Sequence, residues 1–229
     1  MRLSCGFRPE SHFRLSLFDV LIDVPFEQLR PFNIMTSISS RSSGLAYVSL
    51  FAALVAVFGL IPKIDLPLGV PITLQTLGVM LAGCMLGPKK ALQALLLFLA
   101  AVAVGLPLLS GGRGGLGVFV APSSGYLIGF PIGALATGLL MAYLPVNSPR
   151  RAAISAFFAS AVGGVLTIHA CGVIGLVMLA KLSWTQAFWG TLVFVPGDLI
   201  KCVLCAIVVH SVARGLPDWR FGGRAFQSL

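Results

Sequence analysis

The sequence predicts an all-α membrane protein, a bundle of about six transmembrane helices, and three observations predict it. Of 229 residues, 57% are hydrophobic and only 10% are charged, and the apolar residues are spread over nearly the whole chain rather than gathered in one segment. Between Gly44 and Arg214 there is room for about six helices of roughly 20 residues, each rising about 1.5 Å per residue across a hydrocarbon core of about 30 Å. The basic residues behind the net charge of +9 sit mostly in the tails and in loops between apolar runs. That distribution fits topology control in lipid and argues against a nucleic-acid surface.

Residues Met1 to Ser43 carry five arginines and four acids without a continuous apolar run. The segment lacks the h-region of a signal peptide and is not a span. Residues 1–43 are therefore expected to form an extension outside the membrane, either disordered or the product of a start assigned upstream of Met35. Phe13, Leu15, Leu17 and Phe18 offer it a loose membrane association. Residues 44–213 are expected to form the six-helix domain, and residues 214–229 a basic cytoplasmic tail.

The first span is expected from about Leu45 to Ile61, ended by Pro62, with Ala52 and Ala56 making a small face on which another helix can approach closely. After a loop with Lys63 and Asp65, the run Gly69-Val70-Pro71-Ile72-Thr73-Leu74-Gln75 leads into a second span ending near Leu86. Gly87-Pro88-Lys89-Lys90 makes the turn, and a third span runs from Ala91 to about Leu108. Gly112, Gly114 and Gly117 in the next loop formally match a dinucleotide fingerprint, but that motif needs a preceding strand, and here the neighbour is an apolar span. The loop reads instead as flexible backbone that lets Arg113 reach over the mouth of the bundle.

The fourth span begins around Pro122 to Tyr126 and ends near Tyr143. Asn147 to Arg151 make a turn, and a long fifth span runs from Ala152 to about Leu179. His169 inside it has no evident partner in sequence and reads as a hydrogen-bonded interior residue. The stretch from Trp184 to Val195 is expected to be interfacial or re-entrant. Pro196 then starts the sixth span, in a position that tolerates the missing N–H, and Val212 ends it.

With a cytoplasmic N-terminus, Arg41, Lys89, Lys90, Arg150, Arg151 and Arg214 fall inside, whereas Lys63, Arg113 and Lys181 fall outside. The bias supports that orientation, with both termini cytoplasmic. It also puts Arg113, Pro122 to Tyr126 and the start of the sixth span on one outer side.

From Gly44 to Val212 the only carboxylates are Asp65 and Asp198. An ionisable group in an apolar span costs several kcal/mol unless it is paired or lines a wet cavity, so Asp198 marks a site. Lys201, three residues on, shares its helix face. A lysine in a first turn opposes the helix dipole, which argues for a use; the alternative is a structural ion pair. With Arg113, the Tyr126 hydroxyl and the Gln75 amide, the set suits a small, mostly apolar solute with hydrogen-bond donors and a carboxylate. Interhelical hydrogen bonding is the competing use of Gln75 and Tyr126.

No nucleophile–base pair, carboxylate dyad or metal-ligand spacing converges, so neither an enzyme nor a metal or other cofactor is expected. The enzymatic rival is a membrane thiol oxidoreductase using Cys202 and Cys205, a C-x-x-C. Those cysteines fall mid-helix among apolar residues, where thiolate formation is suppressed.

Several ordered motifs resemble the BioY family, the biotin-specific S components of energy-coupling factor (ECF) transporters. They are Gly69-Val70-Pro71-Ile72-Thr73-Leu74-Gln75-Thr76, Leu81-Ala82-Gly83 with Gly87-Pro88-Lys89, Gly114-Gly115-Leu116-Gly117-Val118, Pro122 to Phe130, and Pro196-Gly197-Asp198-Leu199-Ile200-Lys201. The resemblance spans about Leu45 to Val212, and Cys202 and Cys205 are not part of it. It implies a bacterial inner-membrane protein that captures biotin from outside. It also implies partnership with a transmembrane coupling protein (T component) and two ATP-hydrolysing subunits, contacted in part through Ala52 and Ala56. The chain has no Walker motif, so ATP hydrolysis would belong to those partners. Under the resemblance Asp198 and Lys201 meet the ureido ring and Arg113 the valerate carboxylate. An S component for another vitamin is the nearest alternative.

Overall fold

A computed structural model describes residues 32–62 and 72–223, with the side chains described from Gly44 onward. The expectations for residues 1–31, for Lys63 and Asp65, for Gly69 to Pro71 and for residues 224–229 lie outside the described residues. The chain divides between Arg41 and Ser42 into two units, and the fold described is that of the second.

Every regular element among the described residues is helical. In chain order these are α1 (Phe32–Leu60), α2 (Gln75–Leu86), α3 (Pro88–Ala103), α4 (Ser124–Tyr143), α5 (Pro149–Ser160), α6 (Ile168–Leu179), α7 (Trp184–Leu192) and α8 (Val195–Gly215). A π-helical stretch, Ala161–Thr167, joins α5 to α6 without a break. The continuous helix Pro149–Leu179, with α4 and α8, is long and apolar enough to cross a membrane; Gly44–Leu60 and Gln75–Leu86 are shorter apolar helices. With α3, these make the six expected segments. Large side chains such as Leu45, Leu50, Ile128, Leu166, Met178 and Ile200 are exposed on the outside. So much exposed apolar surface fits contact with lipid rather than water.

Local chemistry sets the helix starts. Pro88 and Pro149 occupy first-turn positions of α3 and α5, where the absent N–H costs nothing. The Ser148 hydroxyl accepts from the Arg151 N–H at the start of α5. Ser183 and Gln186 form a reciprocal capping box on α7. The expected break before the last span is present: α7 ends at Leu192 and α8 begins at Val195, with Pro196 in its first turn.

Two boundaries and one internal feature differ from the sequence reading. Helix α1 begins at Phe32, before the first span, because helical backbone continues past the apolar stretch that starts at Gly44. Helix α3 ends at Ala103 rather than near Leu108, since Gly105 takes a positive φ of 110° and Pro107 comes soon after. The fifth span contains the π-helical stretch, which residue periodicity does not reveal.

Helices α4 and α6 pack closest where two glycines meet. A Cβ on Gly125 would lie 2.8 Å from the Gly175 Cα, so any larger residue at this crossing would force the helices apart. Past α8 the chain turns back under the bundle. Phe221 is 1% exposed, and the Trp219 indole N–H donates to the Met85 carbonyl at 3.1 Å. The first ten residues of the expected tail thus run from the end of α8 into a packed strap.

Candidate substrate-binding site

Helix α2 has 12 residues, which at about 1.5 Å per residue reach about 18 Å, short of a core of about 30 Å. Since α2 ends at the Gly87-Pro88 turn beside Lys89 and Lys90, its first turn lies inside the bundle. The starts of α2, α4 and α8 meet there. Non-helical backbone at such depth is tolerated where it is enclosed by protein or lines a cavity.

Across the first two turns of α8, Lys201 Nζ donates to Asp198 Oδ1 at 2.7 Å, and the two residues are 8% and 3% exposed. The Thr76 hydroxyl, from the first turn of α2, donates to the same oxygen at 3.1 Å and accepts from Lys201 Nζ at 2.9 Å. His169 Nε2, from the first turn of α6, approaches Asp198 Oδ2 at 2.9 Å without the alignment of a linear hydrogen bond. His169 Nδ1 is buried and has no hydrogen-bond partner among the described residues. One carboxylate is therefore held by three helices, and its charge is balanced by the lysine beside it.

The remaining expected residues surround this network. The Tyr126 hydroxyl and the Thr191 hydroxyl lie 2.7 Å apart. The Tyr126 ring stands edge-on to His169, with centroids 5.9 Å apart, and Phe194 completes a cluster of three rings. The Gln75 side-chain amide donates to the Leu108 and Val55 carbonyls at 3.2 and 3.4 Å. Both residues thus make interhelical bonds while facing the site.

The loop carrying Arg113 is folded rather than pliant. Leu109 and Arg113 form a β-bridge, the Gly115 N–H donates to the Val102 carbonyl at 2.8 Å, and the Arg113 Nε donates to the Ser110 carbonyl. Gly111, Gly112 and Gly115 have positive φ, so the glycines serve the tight path of this loop.

All five expected binding residues, Gln75, Arg113, Tyr126, Asp198 and Lys201, line one cavity of about 60 Å³, together with Thr76, His169, Leu127, Phe130 and Phe194. Thr76 and His169 were not among the expected site residues. His169 carried a usable signal, being the one basic residue inside the fifth span. Ala52 is 8% exposed and Ala56 half-buried, so their face packs within this chain's own bundle.

Cys202 and Cys205 are free thiols, and the polar contacts of Cys205 run to other helices. Cys205 accepts from Ser160 at 3.3 Å and lies 3.8 Å from Cys84 Sγ; Cys84, Cys202 and Cys205 are all fully buried. No group of three or more His, Cys, Asp or Glu side chains able to hold a metal occurs among the described residues.

Residues 33–218 match the model of the BioY family. The chain is 44% identical over 177 residues to the biotin transporter BioY of Rhizobium etli, covering 76% of this chain and 94% of that protein. It is also 44% identical over 182 residues to the biotin transporter BioY of Rhodobacter capsulatus, covering 75% and 93%. A crystal structure at 2.1 Å of the S-component for biotin from an ECF-type ABC transporter superposes with a TM-score of 0.68 at 30% identity, covering 77% of this chain and 93% of that one. With the fold, the buried charged cluster and these likenesses in agreement, the chain belongs to the BioY family.

Proposed function

We propose that this chain is the substrate-binding membrane subunit for biotin uptake, working with an ECF module. The observation that carries the reading is the buried Asp198–Lys201 pair, held by Thr76 and His169 at the head of a cavity, in a chain similar to proteins named for biotin transport. Biotin's ureido ring has two N–H donors and one carbonyl. Asp198 accepts the former and Lys201 donates to the latter. Leu127, Phe130 and Phe194 supply apolar wall for the thiophane ring. Arg113 meets the valerate carboxylate, and Tyr126 and Gln75 border the ring.

The cavity of about 60 Å³ is smaller than the roughly 300–1,000 Å³ of small-molecule sites. Biotin binding therefore widens the cavity, and the ligand takes over hydrogen bonds that Asp198 and Lys201 make to each other and to Thr76. Exchange of satisfied bonds, rather than capture by naked charges, favours a ligand that fulfils every partner and rejects one that leaves a buried group unpaired.

Six crossings return both ends to one side, and the clustering of Lys89, Lys90, Arg150, Arg151 and Arg214 at loop ends favours the cytoplasm for that side. A transmembrane coupling protein, met in part through the first helix, and two ATPase subunits would supply energy. The test is equilibrium binding of labelled biotin to the purified chain in nanodiscs, with Asp198→Asn alongside and riboflavin and thiamine as competitors. Tight binding lost in the variant supports ligand and site together. A well-folded wild-type chain that ignores biotin but binds another vitamin would move the reading to that vitamin.

A further inference from the structure

A second, larger cavity lies at the opposite end of the bundle. Helix α8 carries the chain 21 residues, about 31 Å, from the site to the strap, and α3 begins where α2 has run away from Thr76. Between the first turn of α3 and the strap is a space of about 550 Å³. Its polar lining is Lys89 and Lys90 from α3 with Asp218 and Arg220 from the strap, so three cations face one carboxylate. None of these three cations is in an ion pair among the described residues.

The cations stand on fixed backbone. Trp219, beside Arg220, is tied to the Met85 carbonyl and packs edge-on against Tyr47 with ring centroids 5.4 Å apart. Phe221, on the other side of Arg220, is buried. Tyr47, Met85, Leu86 and Pro88 give the same cavity an apolar rim. A tryptophan–tyrosine pair beside a basic, half-apolar hollow suits the depth at which lipid headgroups lie. The volume suits a headgroup with part of its glycerol better than a bare inorganic ion. Of its lining, Trp219, Arg220, Gly222 and Gly223 lie past residue 218, where the family match ends, so the strap side of the cavity, with one of the three cations, falls outside that match.

We propose that Lys89, Lys90 and Arg220 form a binding site for the phosphate headgroup of an anionic phospholipid, which seats the strap against the end of the bundle. Basic pockets between membrane helices bind such headgroups, and each Lys or Arg near an anionic membrane surface is worth about 1 kcal/mol, or about fivefold. The experiment is native mass spectrometry of the full chain released from nanodiscs of phosphatidylglycerol mixed with phosphatidylcholine. Preferential retention of phosphatidylglycerol is expected. Retention should fall at least about tenfold in the triple variant Lys89→Gln/Lys90→Gln/Arg220→Gln, stay at the wild-type level in Lys89→Arg/Lys90→Arg, and rise in Asp218→Asn. The Asp218→Asn arm predicts a gain, so a poorly folding triple variant does not shield the proposal. Equal retention of phosphatidylcholine, undiminished phosphatidylglycerol in a triple variant with wild-type Tm, or no gain in Asp218→Asn would overturn it. Stripping of the lipid by millimolar inorganic phosphate would assign the site to free phosphate and overturn the lipid reading.

Discussion

Two buried polar clusters lie on the same three helical segments, about two turns apart, and they differ in kind. The upper one joins Thr76 of α2, His169 of α6 and Asp198 with Lys201 of α8. The lower one joins Cys84 of α2, Ser160 of α5 and Cys205 of α8, with contacts of 3.3 to 3.8 Å. The upper cluster is ionic and faces a cavity; the lower is neutral, fully buried and embedded in the core. Charge inside an apolar bundle is costly enough to need a use. Thiols and a hydroxyl are compatible with packing alone. The contrast is why the Asp198–Lys201 motif reads as a binding site and the C-x-x-C as packing.

Substitutions can break this contrast. Lys201→Met should have the largest effect: it strands a buried carboxylate, and leaving half of a buried pair uncompensated costs about 3–5 kcal/mol, to be read as loss of Tm in detergent and loss of biotin binding. Asp198→Asn keeps the shape but removes the charged acceptor, so biotin affinity should fall by at least about 2 kcal/mol, or about 30-fold; an unchanged Kd would sink the assignment of Asp198 to the ureido ring. His169→Phe preserves ring volume while removing one partner of Asp198. It should cost about 1–1.5 kcal/mol of affinity, measured by the same titration.

The lower cluster supplies the opposite expectation. Cys84→Ala and Cys205→Ala should leave biotin affinity within about twofold and lower stability by no more than about 1 kcal/mol, the net worth of an ordinary hydrogen bond. Water-soluble maleimide should leave Cys84, Cys202 and Cys205 unlabelled in intact membranes, because all three are fully buried. Rapid labelling of Cys202 or Cys205 would erase the difference between the clusters and reopen a redox role.

Much of this was legible in residue order alone. The apolar spans, the break at Pro196, the pairing of Asp198 with Lys201 and the company of Gln75, Tyr126 and Arg113 all stem from the rarity of polar groups in a lipid-compatible chain. The hydrocarbon environment penalises such groups one by one, so each that persists stands out. Only the tertiary structure decided the partners that depend on rotation and distance. His169, which reaches Asp198, directly follows a π-helical stretch. One extra residue in a turn rotates the rest of the helix by about 100°, and no spacing rule anticipates that rotation. Cys205 pairs with Cys84 and Ser160 rather than with Cys202, because α2 and α5 pack against the inward face of α8. The strap under the bundle likewise depends on Trp219 meeting Tyr47 of α1 and Met85 of α2, and on Phe221 to Gly223 packing against α2 and α4, all distant in sequence. Local chemistry names the groups a membrane chain cannot leave idle; helix packing decides which of them meet.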